Sequence, residues 1–156
     1  MLMNLLLGCA TVFVSMGIQV VVVVMMLRYL LRIVQNTEGS PGFGFDTYVI
    51  SMVLLMLFVG HLVQIAIWAV LYMYLKEFND FLTAFYHSAV NFASLGYGDI
   101  VMSEKWRLLG ALEASNGVLM FGLSAGTLLA IMTNLFARHR PGFQRDKTRN
   151  PSSGAT

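Results

Sequence analysis

The sequence predicts an all-α integral membrane fold: three transmembrane helices, one short re-entrant helix, and an extended segment punctuated by glycines. Three observations carry that prediction. The 156 residues are 57% hydrophobic and 12% charged, against about 25% charged in soluble domains, and the mean hydropathy is +0.70. Charge is excluded from long blocks: residues 1–27 and 47–75 hold no Asp, Glu, Lys or Arg, and 108–137 hold Glu113 alone. Each block exceeds the roughly 20 apolar residues that cross a bilayer. Between the second and third blocks runs Ser94-Leu95-Gly96-Tyr97-Gly98-Asp99, a composition suited neither to a helix nor to a sheet strand.

The first element, 1–34, reads as a retained helix. It lacks the basic start, short apolar run and small-residue cleavage site of a leader peptide, and it ends with Arg28 and Arg32. Its Cys9 is the single cysteine of the chain, which excludes an intrachain disulfide or a multi-cysteine metal site. Residues 35–47 form a turn-rich connector with Gly39, Pro41, Gly42 and Gly44. The second helix spans 48–75. A polar link, Lys76-Glu77-Phe78-Asn79-Asp80, leads into a short helix at 80–92, with Asn79 or Asp80 available as its cap. After the 94–98 segment and a loop, the third long helix covers 107–137. The tail, 138–156, is basic and rich in Pro, Ser and Gly, and is expected to be disordered.

Basic residues near helix ends orient such a chain. Arg138, Arg140, Arg145, Lys147 and Arg149 place the tail in the cytoplasm and, across three spans, the N-terminus outside, in the plasma or inner membrane. The link between the second and third helices then faces outward. The 80–92 helix is only roughly 18 Å long, too short to span. Non-helical backbone at membrane depth is tolerated only where protein buries it or water lines it, so the 94–98 segment belongs to a re-entrant loop. Extended at about 3 Å per residue, Ser94 to Gly98 covers roughly 12–15 Å, which suits a short file of dehydrated cations held by backbone carbonyls.

Ser94 to Asp99 resembles the selectivity filter of potassium channels, usually Thr-Val-Gly-Tyr-Gly-Asp. Gly96, Tyr97, Gly98 and Asp99 match it outright; Ser94 stands for Thr and Leu95 for Val. The likeness covers outer helix, pore helix, filter and inner helix, a pore domain at 48–137. It implies a homotetramer with one filter strand per subunit. Potassium is bound by the carbonyls of Ser94, Leu95, Gly96 and Tyr97 and by the Ser94 hydroxyl, with Gly98 permitting the outer turn. Asp99 is implied to brace the filter, and Tyr86 and His87 to restrain Tyr97 from the pore helix. The position where some members keep a buried acid is Val90 here. On the inner helix, Gly117 falls at the gating-hinge position with Gly122 as a second candidate, the glycines serving either bending or close helix contact, and Phe121 and Ala125 at cavity-lining positions.

Other residues are read on their own chemistry. Glu113 is the one ionisable group inside a span and a functional candidate by default, expected to brace the back of the pore helix or filter. Asn116, beside the hinge position, is left unassigned between cavity and interior. Glu104 is read as a vestibule charge or an exposed loop charge. His61, Gln64 and Trp68 share one face of the second helix; the expectation is hydrogen bonding to Gln19 or Ser15 of the first helix, not metal binding.

No nucleophile stands beside a base and no three metal ligands are suitably spaced, so an enzyme is not expected. Nor is a cofactor beyond potassium as permeant ion, nor a nucleic-acid partner. No helix carries basic residues at every third position, which excludes a voltage sensor. The basic tail is a candidate contact for anionic lipid. The leading reading is a passive potassium channel. Two others stand beside it: a weakly selective monovalent cation channel, given Ser94 and Leu95, and a non-conducting membrane subunit that assembles with another protein.

Overall fold

A computed structural model describes residues 2–36 and 42–138. They form four helices: α1 (Leu2–Asn36), α2 (Phe43–Tyr74), α3 (Phe81–Phe92) and α4 (Arg107–Arg138). Three are long and apolar enough to cross a membrane, over Leu2–Ile33, Phe43–Tyr74 and Arg107–Ala137. The protein is an all-α integral membrane protein. Residues 139–156, with the expected disorder and lipid contact of the tail, lie outside the described residues, as does the middle of the 35–47 connector.

Two boundaries differ from expectation. Helix α2 starts at Phe43, five residues ahead of position 48, and α1 runs on to Asn36. The turn-like run Pro41-Gly42-Phe43-Gly44 conceals a helix start. Gly42 is its N-cap, in extended conformation at φ −80° and ψ 171°, and Thr47 Oγ1 donates to the Phe43 carbonyl at 2.9 Å.

The far end of α2 closes in a Schellman motif. Lys76 takes φ +60°, while Lys76 N–H donates to the Met73 carbonyl and Glu77 N–H to that of Tyr72. A left-handed residue turns the chain sharply and satisfies the last carbonyls. The turn carries the chain into α3, which lies against α2 and α4.

Helix α1 packs on α2 and α4 along one stripe. Asn4, Gly8, Ser15, Gln19 and Met26 are its buried residues, spaced by the fours and sevens that keep one helical face turned inward. A Cβ on Gly8 would come within 2.3 Å of Leu112 Cδ1, and one on Gly60 of α2 within 3.2 Å of Val22 Cγ1. Small residues let the backbones approach, as membrane helix pairs require. The remaining faces of α1, including Leu6, Phe13, Val20 and Met25, are exposed, as is Cys9.

Two apolar cores result. One gathers Ile65, Trp68, Tyr72, Phe92, Trp106, Leu109 and Met120 around α3. The other, at the opposite end, gathers Met26, Val49, Val53, Leu57, Ile131 and Leu135. On each long helix a polar layer separates them. Gln64 Nε2 donates to Gln19 Oε1 at 2.7 Å, and Gln19 Nε2 to Ser124 Oγ at 3.0 Å. Ser124 Oγ sits 3.1 Å from His61 Nε2. Of the three α2 residues expected to bond α1, Gln64 does so through Gln19; His61 meets Ser124 of α4 instead, and Trp68 Nε1 has no hydrogen-bond partner among the described residues. Ser15, also expected as a partner, is fully buried, but its hydroxyl bonds none of these residues.

Candidate functional site

Helix α3 is built to deliver the segment that follows it. Asp80, at φ −128° and ψ 150°, caps its N-terminus by accepting from Thr83 N–H at 2.8 Å. Its C-terminus closes in a second Schellman motif: Ser94 N–H donates to the Asn91 carbonyl at 2.8 Å and Leu95 N–H to that of Val90 at 2.9 Å. The left-handed position falls on Ser94, at φ +57°, where glycine is usual. The same residue thus ends the helix and begins the 94–98 segment.

From there the backbone alternates in hand. Ser94, Gly96 and Gly98 take φ +57°, +60° and +74°, while Leu95 and Tyr97 do not take positive values. Alternation of this kind builds neither helix nor strand and is what turns successive carbonyls toward one side. Glycine bears it at no steric cost. Helix α3 points its C-terminal end, with its partial negative charge, at the start of this segment. Residues Ser94 to Asp99 are all exposed in the single protomer.

The segment is anchored just beyond its last glycine. Tyr86 Oη donates to Asp99 Oδ2 at 2.7 Å, and Asp99 Oδ1 accepts from Ile100 N–H at 3.0 Å. The tyrosine bond holds the Asp99 carboxyl below its ordinary range, and in return raises the Tyr86 hydroxyl above its own. His87 Nδ1 lies 3.0 Å from the Ile100 carbonyl and its Nε2 2.9 Å from Asn91 Nδ2. Nδ1 therefore carries the proton that Ile100 accepts, and Nε2 accepts from Asn91. The expected partner of Tyr86 and His87 was Tyr97. Within the protomer their hydrogen bonds go to Asp99 and Ile100, and Tyr97 is 65% exposed.

The outer loop is held separately. Both carboxylate oxygens of Glu77 accept from Ser103, one from N–H at 2.8 Å and one from Oγ at 2.7 Å. Asn4 Nδ2 bonds the Lys105 carbonyl, so the start of α1 lies beside this loop. Glu104 is exposed and meets Arg107 at 3.4 Å, a solvent-screened pair of little energetic worth.

Behind the segment stands Glu113, fully buried. Its Oε2 accepts from Tyr72 Oη of α2 at 2.5 Å, and its Oε1 contacts Ser88 Oγ of α3. The carboxyl joins three helices, and its bond to the pore-helix side is the one expected of it. Tyr72 and Ser88 themselves were missed: they lie 41 and 25 residues away in sequence, beyond the reach of any local pattern.

The inner-helix candidates fall out differently. At Gly117 a Cβ would lie 1.9 Å from the Phe92 carbonyl oxygen, so a glycine is required there by close backbone approach, independent of any bending. At Gly122 a Cβ would meet nothing within 4 Å. Phe121 is partly exposed, yet its ring packs edge-on against His61 at 4.9 Å and Phe92 at 5.6 Å. Ala125 is exposed. Asn116, left open between cavity and interior, faces the interior at 1% exposure.

No curated protein and no solved structure matches the chain. A family model described as ion channel matches residues 49–134, from the first turns of α2 through the short helix and the glycine segment to the end of α4. With more than half of its length inside that match, the chain belongs to this ion channel family, of the two-helix, potassium-channel type.

Proposed function

We propose that the protein conducts potassium passively across a membrane through a homotetrameric pore whose filter is Ser94 to Gly98. The alternating backbone of that segment carries the reading. Four such strands around one axis present successive rings of carbonyl oxygens, and two adjacent rings replace the water shell of a dehydrated potassium ion. The Ser94 hydroxyl adds the innermost ligands. Asp99 and Ile100, tied to Tyr86 and His87, keep the outer end from drifting. One protomer leaves the whole segment uncovered, which a bilayer does not tolerate for irregular backbone; neighbouring copies supply the missing cover. The basic residues near the ends of α1 and α4 support a topology with the N-terminus and filter mouth outside and the C-terminus in the cytoplasm.

The test is flux. Purified protein in liposomes is expected to pass potassium in preference to sodium without any partner, and Gly96→Asp to abolish that flux. Comparable sodium flux favours the weakly selective reading, prompted by Ser94 and Leu95 in place of Thr and Val. Absence of flux from correctly assembled native protein overturns both.

A further inference from the structure

Ser88 has one hydroxyl proton and two neighbours competing for it. Its Oγ lies 2.8 Å from the Ile65 carbonyl of α2, which can only accept, and in short contact with Glu113 Oε1 of α4. A hydroxyl that donates to Ile65 has nothing left to place between Oγ and Oε1. The remaining proton has to come from the carboxyl. Tyr72 meanwhile supplies its own proton to the other oxygen, Oε2, at 2.5 Å.

We infer that Glu113 is a neutral carboxylic acid that acts as a positioning residue for the pore. Its Oε1–H donates to Ser88 Oγ, Ser88 donates to the Ile65 carbonyl, and Tyr72 donates to Oε2. Each proton then has one acceptor and each contact one proton. The surroundings agree. Glu113 is fully buried and forms no ion pair with any described Lys, Arg or His; an ionised carboxylate there loses its hydration without gaining a counter-charge. The groups facing it are Tyr72 from α2, with Ser88 and Asn91 from α3, the Asn91 amide also standing within hydrogen-bonding reach of the carboxyl. From helix α1, Leu7 and Val12 pack against the surrounding core. His87 commits both ring nitrogens elsewhere, to Ile100 and Asn91.

The consequence for conduction rests on the channel reading. The acid ties the outer, pore and inner helices at one point, directly behind the helix that delivers the filter. A carboxylate could not donate to Ser88, so a proton here is part of what holds the pore helix in place.

Infrared spectroscopy of the native protein in lipid at neutral pH tests the assignment without depending on conduction. The expected result is the carbonyl-stretch band of a protonated carboxylic acid, absent from Glu113→Gln and shifted in Tyr72→Phe, which leaves the proton and removes the bond to Oε2. Liposome flux tests the role. Glu113→Gln, whose amide can donate to Ser88 and accept from Tyr72, keeps flux within about twofold of native. Glu113→Leu, which leaves buried partners unsatisfied, loses about tenfold or more. Should Glu113→Gln fail to fold, the native band and its Tyr72→Phe shift still decide the protonation. A native spectrum with no such band overturns the inference, as does a Glu113→Gln variant that folds but loses flux as completely as Glu113→Leu. Absence of flux from native protein with the band present would refute the channel reading and leave the neutral acid standing.

Discussion

The carbonyl oxygen of Phe92 occupies the space that a side chain at position 117 would need: a Cβ built on Gly117 lies 1.9 Å from it. Helix α4 therefore bears directly on the last turn of α3, backbone against backbone. Gly117→Ala is expected to force the helices apart at an overpacking cost of about 1–3 kcal/mol, displacing the start of the filter and lowering both thermal stability and flux. Gly122→Ala meets no neighbour and gains about 1 kcal/mol of helix propensity. Thermal unfolding of the two variants in matched detergent separates them; a Gly117→Ala protein as stable as Gly122→Ala would show that the close approach does not exist.

The Tyr86–Asp99 bond sets a pH prediction. Asp99 is held below its ordinary carboxylate range chiefly by the Tyr86 hydroxyl. For a depressed acid, the contribution is present at neutral pH and is lost only as pH falls through the lowered value. Native protein should thus keep its selectivity down through the ordinary carboxylate range and lose it only below that. Tyr86→Phe returns Asp99 toward its usual titration, so the loss should move to higher pH. Reversal potentials measured against external pH check this, and coincident profiles for the two proteins would refute it.

Ser94 supplies a third test. Its left-handed conformation costs a non-glycine residue roughly 1–2 kcal/mol, which Ser94→Gly relieves. The variant should unfold no earlier than native protein, yet, on the proposed tetrameric-pore reading, bind the permeant ion more weakly for want of the Ser94 hydroxyls. Potassium-dependent protection against thermal unfolding reads both effects at once; lowered stability without added ion would contradict the assigned backbone.

The polar layer makes a fourth. Gln19→Leu strips a partner from both Gln64 and Ser124. Leaving a buried polar group unsatisfied costs about 1–3 kcal/mol, whereas hydrogen bonds between membrane helices average about 0.6 kcal/mol. A loss nearer the upper figure, read by unfolding in mixed micelles, indicates that the stranded amide of Gln64 dominates. No loss at all would mean that α1 is held by its apolar contacts alone.

Much of this fold is legible in the sequence because charge exclusion reports membrane spans directly: the two blocks free of Asp, Glu, Lys and Arg, and the one holding Glu113 alone, became α1, α2 and α4. Gln19 and Gln64 were readable as partners because amides inside apolar helices have few other places to go. The start of α2 was hidden, since Pro41 to Gly44 has turn composition and only the extended Gly42 reveals a cap. The targets of Tyr86 and His87 depend on where the chain goes after Gly98, which φ values settle and residue types do not. Gly117 was readable as a place either to bend or to let helices approach; the 1.9 Å between a Cβ there and the Phe92 carbonyl oxygen supplies the approach.

The layer of Gln19, His61, Gln64 and Ser124 has one last consequence. The channel-like region begins at residue 49, so a fragment cut there would retain three of these four groups and discard the fourth. Gln64 would then lose the acceptor that Gln19 provides and keep only a long contact to the Gly60 carbonyl, while Ser124 would keep His61 alone. The packed protomer is accordingly larger than the stretch that matches the channel family, and the leading helix, packed on both α2 and α4, is a wall of it rather than an appendage.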